Sequence, residues 1–551
     1  SKFYHYLISR LFHNDVLNKD MLYEYDQNIY SHTKRISDKR DLPIKWKYFQ
    51  YLSLLFTEIY LDKYFSNSQA FLDDLNLFVE HYNKSQKGTI YRGVEVKNTA
   101  GFEAEPYKLE DLNKLAFWNA TGSGKTLLMH VNIRQFLHYQ KKHNKSKPLN
   151  RIILLTPNEG LSKQHLKEFK ESNLGAEIFS KDQGRLFSGQ NIEIIDIHKL
   201  EEQSGDKTVA VDSFEGNNLV LVDEGHRGSS GKDWKAKRDK LSASGFSFEY
   251  SATFGQAVTA ASGTTKSSLL NEYSKCTLFD YSYKYFYNDG YGKDYRILNI
   301  NDTTNETYTE KYLTACLLAF YQQLLIHKEN DKSISEFLID KPLWIFVGGK
   351  VTAVRTENKK SVSDVVEILL FLADFVKNES KSITNIELLL TGRHGLLNEN
   401  NQDIFSSSFD YIHLNGLDAQ SVYRNILETL FNSEISGALL HLDNLKGADG
   451  EIGIRIGNAD YFGVINVGDD KKLLDLCAEN GLHTSEKDFA NSLFHSINEK
   501  DSRINILIGS KKFTEGWSSW RVSTMGLMNI GRGEGSEIIQ LFGRGVRLKG
   551  Y

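Results

Sequence analysis

Residues 115–126 have the sequence Leu-Ala-Phe-Trp-Asn-Ala-Thr-Gly-Ser-Gly-Lys-Thr, in which a short apolar run leads directly into a glycine-rich loop. The two glycines let several backbone N–H groups point into one concavity at the start of a helix, where the helix dipole also favours anions. Lys125 can reach the β- and γ-phosphates of a nucleotide, and the Thr126 hydroxyl suits a Mg²⁺ ligand. This P-loop pattern predicts that ATP and Mg²⁺ bind through Thr121, Gly122, Ser123, Gly124, Lys125 and Thr126.

A second motif follows the apolar run Leu-Val-Leu-Val at residues 219–222, which leads into Asp223 and Glu224. ATP hydrolysis needs one carboxylate to hold Mg²⁺, directly or through water, and another to orient and activate the attacking water. We assign the first role to Asp223 and the second to Glu224. An Asp-Glu pair alone is usually a solvated strand end, and the P-loop upstream favours the catalytic interpretation.

Two further motifs carry hydroxyl and guanidinium groups. Ser251-Ala252-Thr253 follows the apolar run 246–250, and its hydroxyls could relay the state of the phosphate site to a second domain. Gln540 opens the stretch Gln-Leu-Phe-Gly-Arg-Gly-Val-Arg, whose spacing gives one helical face with donors for a polyphosphate. Arg544 and Arg547 are therefore candidates for stabilising charge on the departing γ-phosphate. A basic helix face is the alternative.

The distribution of apolar residues predicts three regions. Residues 1–87 are expected to be helical, since apolar groups recur there at intervals of three and four. Residues 88–294 alternate short apolar runs with helical stretches, which indicates a parallel sheet covered on both faces. Residues 295–551 predict a second α/β domain with strands at 343–347, 386–390, 461–467 and 504–508, and an insertion near 395–460. The predicted fold class is α/β, with two parallel-sheet domains preceded in the chain by an α-helical N-terminal region.

Composition is ordinary for a globular protein: among 551 residues, 40% are hydrophobic and 25% are charged. Three widely spaced cysteines indicate a reducing compartment. The longest apolar stretch, 313–326, is too short and too polar to cross a bilayer, so we expect a cytoplasmic protein without a membrane partner. The net charge of −4 does not by itself indicate a nucleic-acid-binding protein, but a binding channel needs only a local basic lining.

In this order along the chain, the four motifs resemble the core of the superfamily 2 helicases. Residues 514–522, Thr-Glu-Gly-Trp-Ser-Ser-Trp-Arg-Val, resemble the fifth motif of the helicase (Res) subunits of type III restriction enzymes. That family usually has Asp-Asn-Pro-Asn where this chain has residues 518–521. The third residue of Asp-Glu-Gly-His differs too, since Gly225 stands where the commoner forms of the motif have alanine or proline. Asn119 stands where the strict P-loop pattern has glycine, as in a shorter form used by some helicases.

The resemblance implies two RecA-like domains with ATP in the cleft between them and nucleic acid across both upper surfaces. It implies that some residues lie near the nucleic-acid backbone and that others couple the ATP site to the nucleic-acid track. An adenine-binding glutamine is also expected upstream of the P-loop; Gln50 is a candidate, although a glutamine on a helix face is the simpler interpretation. The residues expected near the nucleic-acid backbone are Thr156, Lys163 and Gln164. The residues expected to couple the ATP site to the nucleic-acid track are Glu515, Gly516 and His226, with Ser251 and Thr253.

The sequence therefore predicts an ATP-dependent helicase or translocase, with DNA favoured over RNA. The resemblance suggests a setting in restriction or anti-phage defence and a nuclease or modification subunit as partner. A duplex translocase that does not separate strands, an RNA helicase and an ATP-driven protein-interaction switch are the alternatives. No residue that we can name separates a helicase from the duplex translocase, because strand separation depends on accessory elements outside the ATPase core.

Overall fold

The fold is taken from a computed structural model of the chain. It describes every residue except 11–17, 86–87, 92–93, 98–102, 144–146, 180–190, 202–208, 226–231, 299–305, 349–354, 358–359, 399, 489–490, 511–516, 518, 529–542, 544, 546–547 and 550–551. The chain divides into two compact units, Ser1–Asp289 and Gly290–Tyr551. Along the described residues, no helix combines the length and apolar character that a bilayer crossing requires.

The N-terminal region is helical, as predicted. Its described helices are α1 (Lys2–Arg10), α2 (Lys19–Ser37) and α3 (Tyr48–Lys84). Asn18 caps α2, because its side chain accepts a hydrogen bond from the Met21 N–H group at 2.8 Å. The long helix α3 departs from helical geometry at Asn67, and its buried side chains join the core beneath the first sheet.

A short hairpin and nine strands follow among the described residues of the first unit. The hairpin pairs β1 (Thr89–Tyr91) with β2 (Val94–Val96). The strands are β3 (Lys114–Asn119), β4 (Arg151–Thr156), β5 (Ala176–Ile178), β6 (Ile192–Asp196), β7 (Leu200–Glu201), β8 (Val209–Ala210), β9 (Asn218–Asp223), β10 (Phe246–Ser251) and β11 (Thr277–Tyr281).

Seven of these described strands form one sheet in the order β11-β3-β10-β9-β4-β6-β5, and every pairing in it is parallel. Strands β7 and β8 pair separately. Because the strands run the same way, their carboxyl ends share one edge: Trp118 pairs with Ser251, and Tyr250 pairs with Asp223. Loops that follow different strands therefore converge at that edge.

The helices of the first unit connect these strands. They are α4 (Lys125–His143), α5 (Glu159–Glu171), α6 (Lys232–Leu241), α7 (Phe254–Ala260), α8 (Gly263–Cys276) and α9 (Tyr283–Asn288). Separate apolar clusters contain alternating residues of the same strands, so the sheet is covered on both faces. Leu154 and Ile153, neighbours in β4, belong to different clusters.

The second unit also contains a seven-stranded sheet among its described residues, in the order β18-β15-β16-β17-β19-β12-β20. The pairs β15-β16 and β16-β17 are antiparallel, and the remaining pairs are parallel. The strands of the unit are β12 (Leu343–Gly348), β13 (Arg355–Glu357), β14 (Lys360–Val362), β15 (Leu440–Leu445), β16 (Glu451–Ile456), β17 (Gly463–Asn466), β18 (His483–Lys487), β19 (Ile506–Ser510) and β20 (Val522–Met528). Strands β13 and β14 form a separate hairpin.

The helices of the second unit correct one prediction. The strand expected at 386–390 is wrong, because Ile386 and Leu389 lie in helix α13, where they are buried with Ser382 and Asn385 at helical spacing. Segment 395–460 supplies two helices and strands β15 and β16, so it is integrated into the sheet. The described helices are α10 (Glu306–Glu329), α11 (Asp331–Ser335), α12 (Asp364–Lys377), α13 (Glu379–Leu390), α14 (Asp410–Leu414), α15 (Ala419–Thr429), α16 (Asp470–Glu479) and α17 (Leu493–Ser496).

Candidate nucleotide-binding site

The predicted P-loop connects the end of β3 to the beginning of α4. Gly122 and Gly124 have φ angles of +84° and +90°, which glycine adopts readily and other residues adopt only with strain. The Ala120 N–H group donates to the Tyr281 carbonyl oxygen at 2.8 Å, which ties the loop to the end of β11. The first N–H groups of α4 lack carbonyl partners within the helix, so this end of α4 favours an anion.

Buried polar atoms without partners lie at the base of this loop. Within the described part of the chain, the Ser123 hydroxyl and both polar atoms of the Asn119 side chain are buried and have no hydrogen-bond partner. A buried polar group without a partner costs free energy. The loop is therefore suited to a polar ligand that supplies the missing hydrogen bonds.

The two predicted carboxylates lie at the same edge, at the end of β9. The Lys125 ammonium group is 3.7 Å from the Glu224 Oε1 atom, with 12% and 19% of these side chains exposed. Glu224 has a φ angle of +56°, in the left-handed region that glutamate rarely adopts. Its N–H group donates to the Asp223 Oδ1 atom at 3.0 Å. Such strained residues concentrate at functional sites.

A buried histidine that the sequence analysis missed contacts Asp223. The His165 Nε2 atom lies 2.9 Å from the Asp223 Oδ2 atom, and only 4% of the His165 side chain is exposed. Burial alone raises the pKa of the Asp223 carboxyl group, but the hydrogen bond from His165 and the charge of Lys125 outweigh burial and lower it. Asp223 is therefore held as the anion that a metal ion requires.

The Ser-Ala-Thr segment is tied to the P-loop strand by direct contacts. The Trp118 indole N–H group donates to the Ala252 carbonyl oxygen at 3.0 Å. The Ser251 hydroxyl accepts a hydrogen bond from the Thr253 N–H group at 3.0 Å, and both residues are buried. A Cβ atom at Gly255 would lie 2.4 Å from the Trp118 ring, so glycine is required for this packing.

A buried ion pair holds the loop that follows Glu224. Arg238 donates to the Gly225 carbonyl oxygen at 2.7 Å and lies 3.6 Å from the Glu249 carboxylate. Both side chains of the pair are at most 3% exposed. A Cβ atom at Gly225 would lie 3.1 Å from Glu249 and 3.3 Å from Phe254, which accounts for glycine at a position where the helicase families use alanine or proline.

Gln50 lies against the P-loop, although 75 residues separate it from Lys125 in sequence. Its side-chain N–H group donates to the Ser123 carbonyl oxygen at 2.8 Å, and its Oε1 atom accepts from the Lys47 N–H group at 2.8 Å. Next to it, the Phe49 ring stacks on Tyr281 with a centroid distance of 3.8 Å. The beginning of α3 therefore forms part of the wall beside the nucleotide loop.

The three residues expected near nucleic acid have different environments. Thr156 is buried, and its hydroxyl bonds the Ser162 hydroxyl at 2.7 Å, so its side chain is not exposed for the predicted backbone contact. A small hydroxyl residue at the end of β4 instead bonds within the turn that leads to α5. Lys163 and Gln164 are exposed on α5, and Lys163 pairs with Glu159 at 3.1 Å.

Six predicted site residues lie outside the described residues, and their roles stay predictions: His226, Glu515, Gly516, Gln540, Arg544 and Arg547. Arg521, close to that region, is described and has a structural explanation. Its guanidinium group donates to the carbonyl oxygens of Lys341 at 2.9 Å, Pro342 at 3.4 Å, Ile504 at 2.6 Å and also Ile497. The departure from the type III pattern at this position therefore serves to join three segments of the second unit.

A P-loop at the carboxyl edge of a parallel sheet, with adjacent Asp and Glu residues two strands away, is the arrangement typical of P-loop nucleotide-binding domains. Residues 79–256 match the family model described as Type III restriction enzyme, res subunit. The match covers less than half of the chain. The structure confirms the predicted α/β fold class, with a helical N-terminal region followed by two sheet-containing domains, but the second sheet is mixed rather than parallel. The family match supports the general class of nucleic-acid helicase or translocase.

No curated protein matches the chain in sequence. Among solved structures, the chain is similar to the crystal structure of the Pyrococcus furiosus Hef helicase domain, with 13% identity, 79% of this chain and 91% of that chain covered, and a TM-score of 0.32. It is also similar to the Sulfolobus solfataricus SWI2/SNF2 ATPase core in complex with dsDNA, with 11% identity, 79% and 93% covered, and a TM-score of 0.24.

Proposed function

We propose that this protein is an ATP-dependent helicase or translocase that moves on nucleic acid, with DNA favoured over RNA. The observation that carries the proposal is the approach of Lys125 and Glu224 to 3.7 Å at the edge where the P-loop and β9 both end. A phosphate-binding lysine and a carboxylate beside it are the two groups that activate a γ-phosphate for attack by water.

ATP and Mg²⁺ fit the residues of this edge. The buried Ser123 hydroxyl without a partner in the described chain and the left-handed glycines suit a loop that closes around phosphate oxygens. Thr126 and Asp223 would hold Mg²⁺, and residues 121–126 would hold the phosphates. When bound, the metal ion neutralises charge on the phosphate oxygens.

The residues of the chain have separate roles in ATP hydrolysis and in its coupling to nucleic acid. Lys125 binds phosphate oxygens and releases Glu224, whose carboxylate orients the attacking water and accepts its proton. Gln540, Arg544 and Arg547 stabilise the charge that develops on the γ-phosphate. Coupling to the nucleic-acid track falls to Ser251, Thr253, His226, Glu515 and Gly516, and Lys163 and Gln164 contact the backbone of the strand.

The test is a steady-state ATPase assay without nucleic acid and with single-stranded DNA, duplex DNA or single-stranded RNA. Lys125→Ala should remove turnover under every condition. Strong stimulation by one nucleic acid identifies both a motor and its track. Stimulated turnover that survives Glu224→Gln would contradict the proposed site.

A second candidate is an ATP-driven interaction switch, and the contact between Gln50 and the Ser123 carbonyl favours it, because it connects the N-terminal helices directly to the P-loop. In that case the N-terminal helices bind a partner protein, and the bound nucleotide changes their affinity for it. Turnover that depends on Lys125, ignores all three nucleic acids and rises with a protein partner would select this candidate.

We place the protein in the cytoplasm, in restriction or another defence against foreign DNA, with a nuclease or modification subunit as its partner. The family match to a restriction-enzyme subunit supports this setting. Cells that express the wild-type protein, with its neighbouring subunits, should resist phage infection. Equal resistance in cells that carry Glu224→Gln would reject an ATP-driven role in defence.

A further inference from the structure

His165 occupies a place in the site that neither the sequence motifs nor the proposed function uses. It lies on α5, between the P-loop helix and the end of β9, with 4% of its side chain exposed. Its ring is near Phe169 of the same helix, with a centroid distance of 6.2 Å. Its one polar contact in the described chain joins Nε2 to the Asp223 Oδ2 atom at 2.9 Å.

This contact determines which ring nitrogen carries a hydrogen. Ionised carboxylate oxygens only accept hydrogen bonds, so the Nε2 atom must be the donor. The Nδ1 atom is buried and has no partner among the described residues. A buried nitrogen without a partner makes histidine a worse filler of this core position than leucine, so the useful part of the side chain is the Nε2 donor.

The two oxygens of Asp223 are each fixed by one donor. His165 bonds Oδ2 at 2.9 Å, and the Glu224 N–H group bonds Oδ1 at 3.0 Å. Each carboxylate oxygen can accept about two hydrogen bonds or a metal bond in place of one. The pair of donors therefore fixes the plane of the carboxylate and leaves one lone-pair direction on each oxygen for Mg²⁺ or its bound water.

We infer that His165 is a positioning residue that holds the Asp223 carboxylate in the orientation in which it binds the Mg²⁺ of the nucleotide complex. The inference rests on the proposed function, since it assigns Asp223 to that metal ion. It reverses the usual arrangement in which a carboxylate orients a metal-bound histidine. Here the histidine orients the metal-binding carboxylate.

Three substitutions separate positioning from packing. In His165→Gln the amide nitrogen lies at the place of Nε2, so the donor is kept. In His165→Asn the amide lies at the place of Nδ1, and in His165→Leu no donor remains. His130 offers a matched control: it is buried on α4, stacks on Phe169 at 4.4 Å and bonds Ser172 through Nδ1 at 2.7 Å.

The measurement is the affinity of each purified full-length variant for Mn²⁺ in the presence of ADP, by electron paramagnetic resonance. Asn and Leu at position 165 should weaken Mn²⁺ binding about tenfold, the lower end of the effect of outer residues at metal sites. Gln at position 165 and His130→Asn should stay within about threefold of the wild type. In the ATPase assay, the Mg²⁺ concentration for half-maximal rate should rise with the same ranking, while the KM for ATP at saturating Mg²⁺ is unchanged.

Lys125→Ala separates a failure of the proposed nucleotide site from a failure of the proposed role of His165. If the wild type and Lys125→Ala bind Mn²⁺ with ADP equally, the nucleotide site itself is wrong and the proposed function fails. If Lys125→Ala binds weakly but His165→Asn and His165→Leu match the wild type, only the role of His165 is rejected.

A second measurement covers the case in which the His165 variants do not fold. In the wild-type protein labelled with ¹⁵N at histidine, we expect the His165 ring to carry its hydrogen on Nε2 and its signal to shift when Mg²⁺ and ADP are added. A hydrogen on Nδ1 alone, or a signal that ignores the metal ion, overturns the inference.

Discussion

The first sheet is entirely parallel, whereas the second contains two antiparallel pairs. In a parallel sheet the loops that follow β3, β9 and β10 meet at one edge, so short polar motifs far apart in sequence become neighbours. In the mixed sheet, β15 and β16 are antiparallel, so their carboxyl ends lie at opposite edges. Loops that follow these two strands therefore cannot form such a cluster. The strand directions therefore decide where a sequence motif can become a site.

The buried polar groups differ in the same way. In the first unit, some of them lie at the candidate site: His165 bonds Asp223, and Arg238 bonds the Gly225 carbonyl oxygen. In the second unit, Arg521 bonds carbonyl oxygens of three chain segments and joins them. His165 therefore lies where it can affect the chemistry of the candidate site, whereas Arg521 has a structural role.

The strongest test of this contrast compares a glutamate of the candidate site, Glu224, with a buried glutamate of the second unit, Glu451. Glu224→Gln should reduce stimulated ATP hydrolysis about 1,000-fold, because the amide cannot accept the proton of the attacking water. The matched change, Glu451→Gln in β16, removes a carboxylate that bonds Ser492 and the Phe494 N–H group. Steady-state ATPase rates for the Glu451 variant should stay within twofold of the wild type, and a comparable loss there would break the comparison.

Arg521→Ala should lower the free energy of unfolding of the second unit by about 3 kcal/mol, because it leaves buried carbonyl oxygens without donors. Native-state hydrogen exchange can measure this separately for amides of β19 and β20. Arg503→Ala is the control, since Arg503 is 69% exposed in its ion pair with Asp460 and an exposed pair contributes about 1 kcal/mol or less. Equal effects of the two changes would remove the architectural role of Arg521.

The helices behind the first sheet bury ionisable groups, so stability there should depend on pH. Burial raises the pKa of the Glu58 carboxyl group to about 7, despite hydrogen bonds from Tyr139, Gln135 and Asn28 that favour its anion. The folded state then binds more protons than the unfolded state between about pH 4.5 and 7, and stability from this group falls as pH rises through that window, by about 3 kcal/mol at most. Burial lowers the pKa of His32 to about 3, which gives the opposite slope up to about pH 6.5.

The two slopes partly cancel in the wild type, so the difference from Glu58→Gln is the informative quantity. Denaturant unfolding at a series of pH values should show the variant gaining stability relative to the wild type from about pH 4.5 to 7. Glu80→Gln, an exposed change on the same helix at the ion pair with Lys84, serves as the control. A difference that stays constant across this window would place the Glu58 pKa near its ordinary value.

The smallest expected effect concerns the loop after Glu224. Gly225→Ala should lower kcat about fivefold without changing the KM, equivalent to about 1 kcal/mol, because the added methyl group presses on Glu249 and Phe254 and shifts Glu224. Gly468→Ala in the second unit adds a Cβ atom with nothing within 4 Å and should leave kcat unchanged. An unchanged kcat in both variants would show that the Gly225 loop tolerates the shift.

Local spacing was enough to predict the P-loop, the Asp223-Glu224 pair and the strands before them, because each motif is continuous in sequence. The contacts of Gln50 and His165 depend on how α3 and α5 pack against the sheet, and a single Gln or His on a helix has no distinguishing pattern. The wrong strand at 386–390 has a similar cause. A five-residue apolar run fits a strand or a helix, and only the burial of Ser382 and Asn385 on the same face decides for the helix.

The left-handed backbone of Glu224 has a consequence for attempts to engineer the protein. An ordinary side chain in that region costs about 1 kcal/mol or more relative to glycine, and asparagine tolerates it better than glutamate. A selection for heat resistance alone would therefore enrich Glu224→Gly and Glu224→Asn, which relieve the backbone and abolish hydrolysis. A library selected for thermostability therefore also needs a screen for ATP turnover, because the most stable variants will include ones that no longer hydrolyse ATP.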